Sequence, residues 1–188
     1  DLVMPATNIT PEQVNFIVTK ARGLLCVALE RERAERLFLT PMTADNTALH
    51  RTNFTITVDA RQGATTGISA HDRALTIRRL ADPHASPEDF ARPGHVSPII
   101  AKDGGVLRRA GHTEAGCDLA GMAGLEPASV ICEIMNDDGT MARLPELIDF
   151  ARVHSLKIGT ITDLIHYRAA SETLVERVTS KTIQTAHG

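Results

Sequence analysis

Tryptophan is absent from the 188 residues, tyrosine occurs once, and aromatic residues make up only 3%. The stacking platforms that single-stranded nucleic-acid binders present to bases are therefore poorly supplied. A dominant charge is also missing: the net charge is −3, which argues against a broadly basic surface, so neither nucleic acid nor a membrane is expected as a partner. No apolar run is longer than Leu24 to Leu29, far short of the roughly 20 residues a membrane helix needs. The three cysteines, Cys26, Cys117 and Cys132, form no C-x-x-C pair. This excludes a disulfide framework and a zinc ribbon, and a reducing, cytoplasmic setting is expected. No charged-then-apolar N-terminal segment suggests export. There is no initiator methionine, and Asp1 opens directly onto Leu2-Val3-Met4. The chain is therefore expected to start inside a longer protein.

Hydrophobic residues make up 43% and charged residues 23%, close to ordinary globular proteins. The length suits one domain, or one domain with a tail. Helical and strand patterns alternate without an internal repeat, which predicts an α/β (α+β) domain with a mixed sheet and packed helices. Thr10-Pro11-Glu12-Gln13 reads as a helix start with a capping box, followed by a buried stripe of Val14, Ile17, Val18 and Ala21 and a stop at Gly23. Leu24 to Leu29 reads as a buried strand and Glu30 to Phe38 as a short charged helix. Phe54 to Ala60 alternates, with Phe54, Ile56, Val58 and Ala60 on one face and Thr55, Thr57 and Asp59 on the other. Ser69 caps a helix through Leu80, with Asp72 at the capping-box position. Thr113 caps another, carrying Ala115, Leu119 and Met122 inward and ending at Gly124. Then follow a strand from Ser129 to Met135, a turn from Asn136 to Gly139, a helix from Pro145 to His154 and a strand from Leu156 to Ile161. A last helix runs from Thr162 to about Val178, and the polar remainder, Thr179 to Gly188, reads as a linker.

The densest chemistry lies in Arg108-Arg109-Ala110-Gly111-His112-Thr113-Glu114, a turn entering a helix. Free N–H groups and the positive dipole end suit an anion there. Arg109 adds a guanidinium that can grip phosphate through two hydrogen bonds, and Thr113 adds a hydroxyl. Read alone, the segment is equally a capped helix with solvated arginines. Glu133 is flanked on its strand face by Ile131 and Met135. If that face is buried, the carboxylate needs a partner or a metal and can act in proton transfer; on an edge strand it simply faces water. Arg92-Pro93-Gly94-His95 reads as a turn ending in an imidazole suited to moving protons. Thr65 to Arg73 is a hydroxyl-rich approach to a helix, another possible phosphate or sugar contact. Cys26 reads as a small buried hydrophobe, and H-E-x-x-H is absent.

Taken in order, these segments resemble the 3,4-dihydroxy-2-butanone 4-phosphate synthases. The resemblance is carried by Asp1-Leu2-Val3-Met4-Pro5-Ala6, Gly23-Leu24-Leu25-Cys26, Phe54-Thr55-Ile56-Thr57-Val58 and Thr66-Gly67-Ile68-Ser69-Ala70 with Asp72-Arg73. It continues through Arg92-Pro93-Gly94-His95-Val96, Gly104-Gly105-Val106-Leu107, Gly111-His112-Thr113-Glu114-Ala115 and Cys132-Glu133. Each stretch is weak alone; the ordered set spans nearly the whole chain and is specific.

The resemblance implies conversion of D-ribulose 5-phosphate to 3,4-dihydroxy-2-butanone 4-phosphate and formate, in riboflavin biosynthesis, with Mg²⁺ or Mn²⁺. It implies His95 and Glu133 as catalytic residues and His112 as a metal ligand. Asp1, Arg109, Ala110, Gly111, His112, Thr113 and Glu133 are implied to bind substrate. It also implies a homodimer with active sites at the subunit interface. The synthase domain is expected over 1–168, with 169–188 leading toward a second domain like that of GTP cyclohydrolase II. Two departures stand out. The family has an acidic loop just before the position of Asp1, and this chain begins after it, so weak Mg²⁺ binding is expected. Arg51 and Asn53 also stand where many members have small residues. The missing loop supports a second reading, a catalytically silent module that dimerises and supports a partner domain.

Overall fold

The run Leu24 to Leu29 supplies the strand on which the sheet is built. In a computed structural model, which describes residues 1–173 and 177–185, β2 (Cys26–Leu29) is buried along its whole length. It lies at the centre of a five-stranded sheet of order β1-β5-β2-β4-β3. The other strands are β1 (Leu2–Pro5), β3 (Val58–Ala60), β4 (Phe90–Ile100) and β5 (Ala128–Cys132). β2 and β4 are parallel and the remaining pairs antiparallel, which is the mixed sheet the alternation predicts. A parallel pair needs a long crossover, and α2 (Arg31–Arg36), β3 and α3 (Ala70–Ala81) lie on it.

Strand alternation divides the sheet into two unequal faces. Val27, Leu29, Val96, Val130 and Cys132 meet α1 (Pro11–Lys20) and α3 in the main core. The opposite face carries α4 (His112–Met122) over two small clusters, Ala28-Ala101-Cys117 and Cys26-Ile99-Ile131. The closest approach of α4 is at Gly116, where a Cβ would lie 2.0 Å from Ser129 Oγ and 3.1 Å from Ser129 Cβ.

Local signals explain most helix starts. Thr10 and Gln13 close a capping box at α1, and Ser69 accepts from the Asp72 N–H at α3. Asp72 does not complete that box. Its carboxylate turns back to accept from Thr65 N–H, Thr65 Oγ1 and Gly67 N–H, fixing the loop before α3. These bonds, the Thr65 hydroxyl first, hold the Asp72 carboxyl down at about 2. At the end of α1 the left-handed residue is Arg22, not Gly23. Gly23 is needed for closeness instead, because a Cβ there would lie 2.3 Å from the Glu133 carbonyl oxygen.

The structure corrects several expectations. α4 is capped by Gly111, with Thr113 buried inside its first turn. Its buried face is Thr113, Glu114, Ala115, Gly116, Cys117 and Ala120, so Leu119 and Met122 point outward. The alternation over Phe54 to Ala60 yields only β3, with Phe54 and Thr55 confined to isolated bridges to Ile99 and Pro41. Thr55 is fully buried through its N–H bond to the Pro98 carbonyl. Arg92 to His95 is part of β4 rather than a turn. β5 ends at Cys132, leaving Glu133 just beyond it and exposed. Leu156 to Ile161 forms no strand; the segment is irregular and its last residue opens α6 (Ile161–Ser171), capped by Thr160. α5 (Leu144–Val153) matches its expected span. The remainder of the expected last helix is not helical at 172–173 and 177–178, and 174–176 lie outside the described residues. The linker expected from 179 is irregular and exposed over 179–185, its last three residues also lying outside.

Two measurements check these contacts. Gly116→Ala should lower stability by about 1–3 kcal/mol through overpacking, although alanine ordinarily gains about 1 kcal/mol over glycine in a helix. Urea denaturation showing an unchanged or stabilised variant would mean α4 does not seat on Ser129. The Asp72 carboxyl is lowered from 3.8 to about 2 on folding. Its stabilisation is therefore complete above the higher value and lost as pH falls through the lower one. Asp72→Asn should lower Tm by several degrees at neutral pH and flatten the decline of Tm across that acid window. A variant with the wild-type acid profile would contradict this role.

Candidate active site

Sheet register places the chemistry in one row. Leu2 pairs with Cys132, which sets Asp1 beside Glu133. Cys26 pairs with Ile131 on one side and Ser97 on the other. Two residues back along β2, Leu24 therefore stands level with Glu133 and with His95. The Leu24 N–H donates to Glu133 Oε2 at 3.0 Å, which closes the row across the gap beyond β5. Strand spacing of about 4.8 Å puts Glu133 and His95 roughly 10 Å apart, two strands removed. By alternation, Glu133 and His95 share the α4 face with Ile131 and Ser97, away from the main core.

His95 is gripped twice by Asp59. The His95 N–H donates to Asp59 Oδ1 at 2.9 Å, and Nδ1 lies 2.7 Å from Asp59 Oδ2. The carboxylate thus favours a proton on Nδ1 and leaves Nε2 for chemistry. Gly67, with φ +84°, makes room for the pair: a Cβ would lie 2.2 Å from Asp59 Oδ2 and 2.5 Å from His95 Nδ1. The Gly67 N–H is in turn held by Asp72. The approach to α3 therefore acts on the imidazole through backbone position.

At the other side of the row, α4 opens with His112, whose Nδ1 lies 3.7 Å from Asp1 Oδ1. Burial lowers the His112 pKa below its ordinary value, Arg109 adds to this, and Glu133 opposes it. A neutral imidazole is the form that accepts a proton or binds a metal. Arg109, two residues before the Gly111 cap, is held by buried Glu114, with Nη1 donating to Oε2 at 2.7 Å. Thr113 is 5% exposed in the same first turn. Gly111 is extended, and a Cβ there would lie 2.2 Å from Arg109 Nη1.

Among the described residues no three His, Cys, Asp or Glu side chains converge as a metal cage. Asp1, His112 and Glu133 approach one another without closing. Such an open set, rich in carboxylate, fits a hard divalent cation that keeps water and takes ligand oxygens. It does not fit a closed structural zinc site. The thiols stand aside: burial first, then Glu133, pushes Cys26 up to about 12 and Cys132 up to about 11. Cys117 is raised too, by burial.

The residues singled out from the sequence thus fall into two groups. Asp1, Glu133 and His95 share the row with His112 against it, while Arg109, Ala110, Gly111 and Thr113 form the approach to α4. Two residues were not anticipated as part of the site. Asp59 was legible only as the polar side of an alternating strand, and Glu114 only as the last letter of the Gly111-His112-Thr113-Glu114 stretch.

Known proteins share this arrangement's sequence and fold. The family model described as 3,4-dihydroxy-2-butanone 4-phosphate synthase matches residues 1–167. A protein of that name from Neisseria meningitidis serogroup A is 57% identical over 188 residues, covering 100% of this chain and 52% of the relative. The riboflavin biosynthesis protein RibBA of Aquifex aeolicus is 58% identical over 190 residues, 47% of its length. The chain thus spans about half the length of the curated relatives it matches. Among solved structures, the two-domain synthase RibBX from A. baumannii superposes with a TM-score of 0.92 at 55% identity, covering 99% of this chain and 55% of that one. A synthase in complex with two magnesium ions gives 0.88 at 43% identity, covering 90% and 84%. With the match running from Asp1 through α6, the chain belongs to the 3,4-dihydroxy-2-butanone 4-phosphate synthase family.

Proposed function

We propose that this chain converts D-ribulose 5-phosphate to 3,4-dihydroxy-2-butanone 4-phosphate and formate, supplying a carbon skeleton for riboflavin. The observation that carries the proposal is the row Asp1–Glu133–Leu24–His95, with the His112 end of α4 set against it. The reaction needs an anchor for phosphate, a polar surface for a chain of hydroxyls, and groups that move protons at more than one carbon. Arg109, the Ala110 N–H and the Thr113 hydroxyl bind the phosphate; the Gly111 N–H donates to the Arg109 carbonyl and shapes the approach, with the positive end of α4 behind it. Asp1 orients the sugar hydroxyls. Glu133 and His95 hold and release protons, Glu133 from a carboxylate fixed by Leu24 and His95 from the Nε2 that Asp59 leaves free.

His112 is the metal ligand of this chain, with Glu133 beside the same centre. Mg²⁺ or Mn²⁺ bound there supplies positive charge to neighbouring substrate oxygens when negative charge develops on them. The silent-module reading has less support, because relatives named as the synthase and as RibBA match this chain along its whole length at 57% and 58% identity. The protein works as a homodimer with active sites at the subunit interface. In support, α4 leaves Leu119 and Met122 each 46% exposed on the thinly covered side of the sheet. Residues 1–168 form the synthase domain and 169–188 lead toward a second one. The buried, protonated thiols suit a reducing cytoplasm, and no described helix is long and apolar enough to cross a membrane.

Formate release from D-ribulose 5-phosphate with Mg²⁺ tests the proposal. Glu133→Gln keeps the side chain's shape and removes its charge and proton-transfer capacity. It should lower kcat by at least about 100-fold, with an unchanged circular dichroism spectrum. Near-normal turnover in this variant would remove Glu133 from the reaction. Light scattering at micromolar concentration should give twice the single-chain mass, and a monomer mass would overturn the interface reading.

A further inference from the structure

We propose that Glu114 is the positioning residue of the phosphate end, a buried carboxylate that holds the Arg109 guanidinium facing the incoming anion. The identity of that anion rests on the synthase reading above. Glu114 is 1% exposed and lies in the first turn of α4. Both its oxygens are engaged inside the protein. Oε2 accepts from Arg109 Nη1 at 2.7 Å, and Oε1 accepts from the Lys102 backbone N–H at 2.9 Å. One carboxylate therefore ties the segment after β4 to the turn before α4.

The arrangement leaves Arg109 little freedom. A guanidinium carries five N–H donors in a rigid fork. Glu114 occupies one of them, and Nη2 lies 3.5 Å from the His50 carbonyl oxygen. The other donors are free for an anion, and the Arg109 side chain is 29% exposed. Arg109 cannot swing into solvent without leaving a buried charge unpaired, which is costly. The rotamer entropy of a long side chain is thereby lost on folding rather than on binding. Gly111 completes the fitting, since a Cβ would lie 2.2 Å from Arg109 Nη1 and 2.6 Å from Glu114 Oε2.

A carboxylate beside a phosphate site would ordinarily repel the ligand. Here it is covered by protein and its charge is matched by Arg109. Arg51 and Lys102 line the same concavity with Arg109, Thr113 and Glu114. The Arg109–Glu114 pair supplies direction.

The test compares Glu114→Gln with wild type, alone and with Arg109→Ala, in the full chain. The amide keeps the shape and removes the charge that orients Arg109. Glu114→Gln should raise KM for D-ribulose 5-phosphate about tenfold or more, with kcat changed less than about threefold. Against Arg109→Ala, the same substitution should change KM less than about twofold, since it acts only through Arg109. Inorganic phosphate, the probe that needs no turnover, should raise the Tm of the wild type and not that of Glu114→Gln. An unchanged KM, an equal KM penalty in both backgrounds, or phosphate protection retained by Glu114→Gln would each overturn the proposal. If Glu114→Gln fails to fold, Glu114→Asp carries the same test. It keeps the charge, shortens the reach, and should raise KM with a near-normal Tm; an unchanged KM overturns the proposal there as well. Wild type that releases no formate but gains Tm with phosphate would overturn the synthase reading and leave the positioning role standing.

Discussion

The register of β2 between β4 and β5 is the constraint on which the rest depends. The strand is fully buried, its side chains alternate between two packed faces, and a slip of one residue would exchange them. With that register set, Leu24 stands between Glu133 and His95, and Asp1 falls beside Glu133. No catalytic group has to find its neighbour through a flexible loop. Gly23 shows how tight the arrangement is, because the Glu133 backbone occupies the space a side chain would need.

Around this row the protein fixes polar groups through buried or half-buried carboxylates. Asp59 holds His95, Asp72 holds the loop that brings Gly67 against that pair, and Glu114 holds Arg109. Charged groups are thereby oriented before any ligand arrives, the condition under which fixed dipoles contribute most to a reaction. The cost falls on the fold, which must bury Asp72 and Glu114. It meets that cost with backbone N–H donors, and at Glu114 also with a guanidinium.

Features with a local physical cause were legible in the sequence. Thr10 with Gln13, Ser69 before α3 and the turn at Gly139 all declare themselves through side chains that act within a few residues. The cap of α4 was misplaced because glycine caps without a side chain, so Thr113 drew the assignment. The strand from Phe54 was overextended because Phe54 and Thr55 meet Ile99 and Pro41 only in isolated bridges, which local alternation does not reveal. Leu156 to Ile161 has strand-forming residues but pairs with neither edge of the sheet and leads directly into the Thr160 cap of α6. The candidate site residues rest on the ordered family resemblance, since single motifs do not distinguish them from capped helices and surface turns. Asp59 escaped because it acts on a residue 36 positions away. Glu114 escaped because burial, not spacing, makes it matter.

The central claim is that one end of the sheet, on the α4 side, is where the sugar phosphate binds. Backbone amide shifts on titration with D-ribulose 5-phosphate and Mg²⁺ test it directly. The largest changes should fall at Leu24, His95, Gly111, His112, Thr113 and Glu133. Changes centred instead on the groove at the far end of β2, lined by Glu30, Arg33, Arg36 and Glu126, would contradict it.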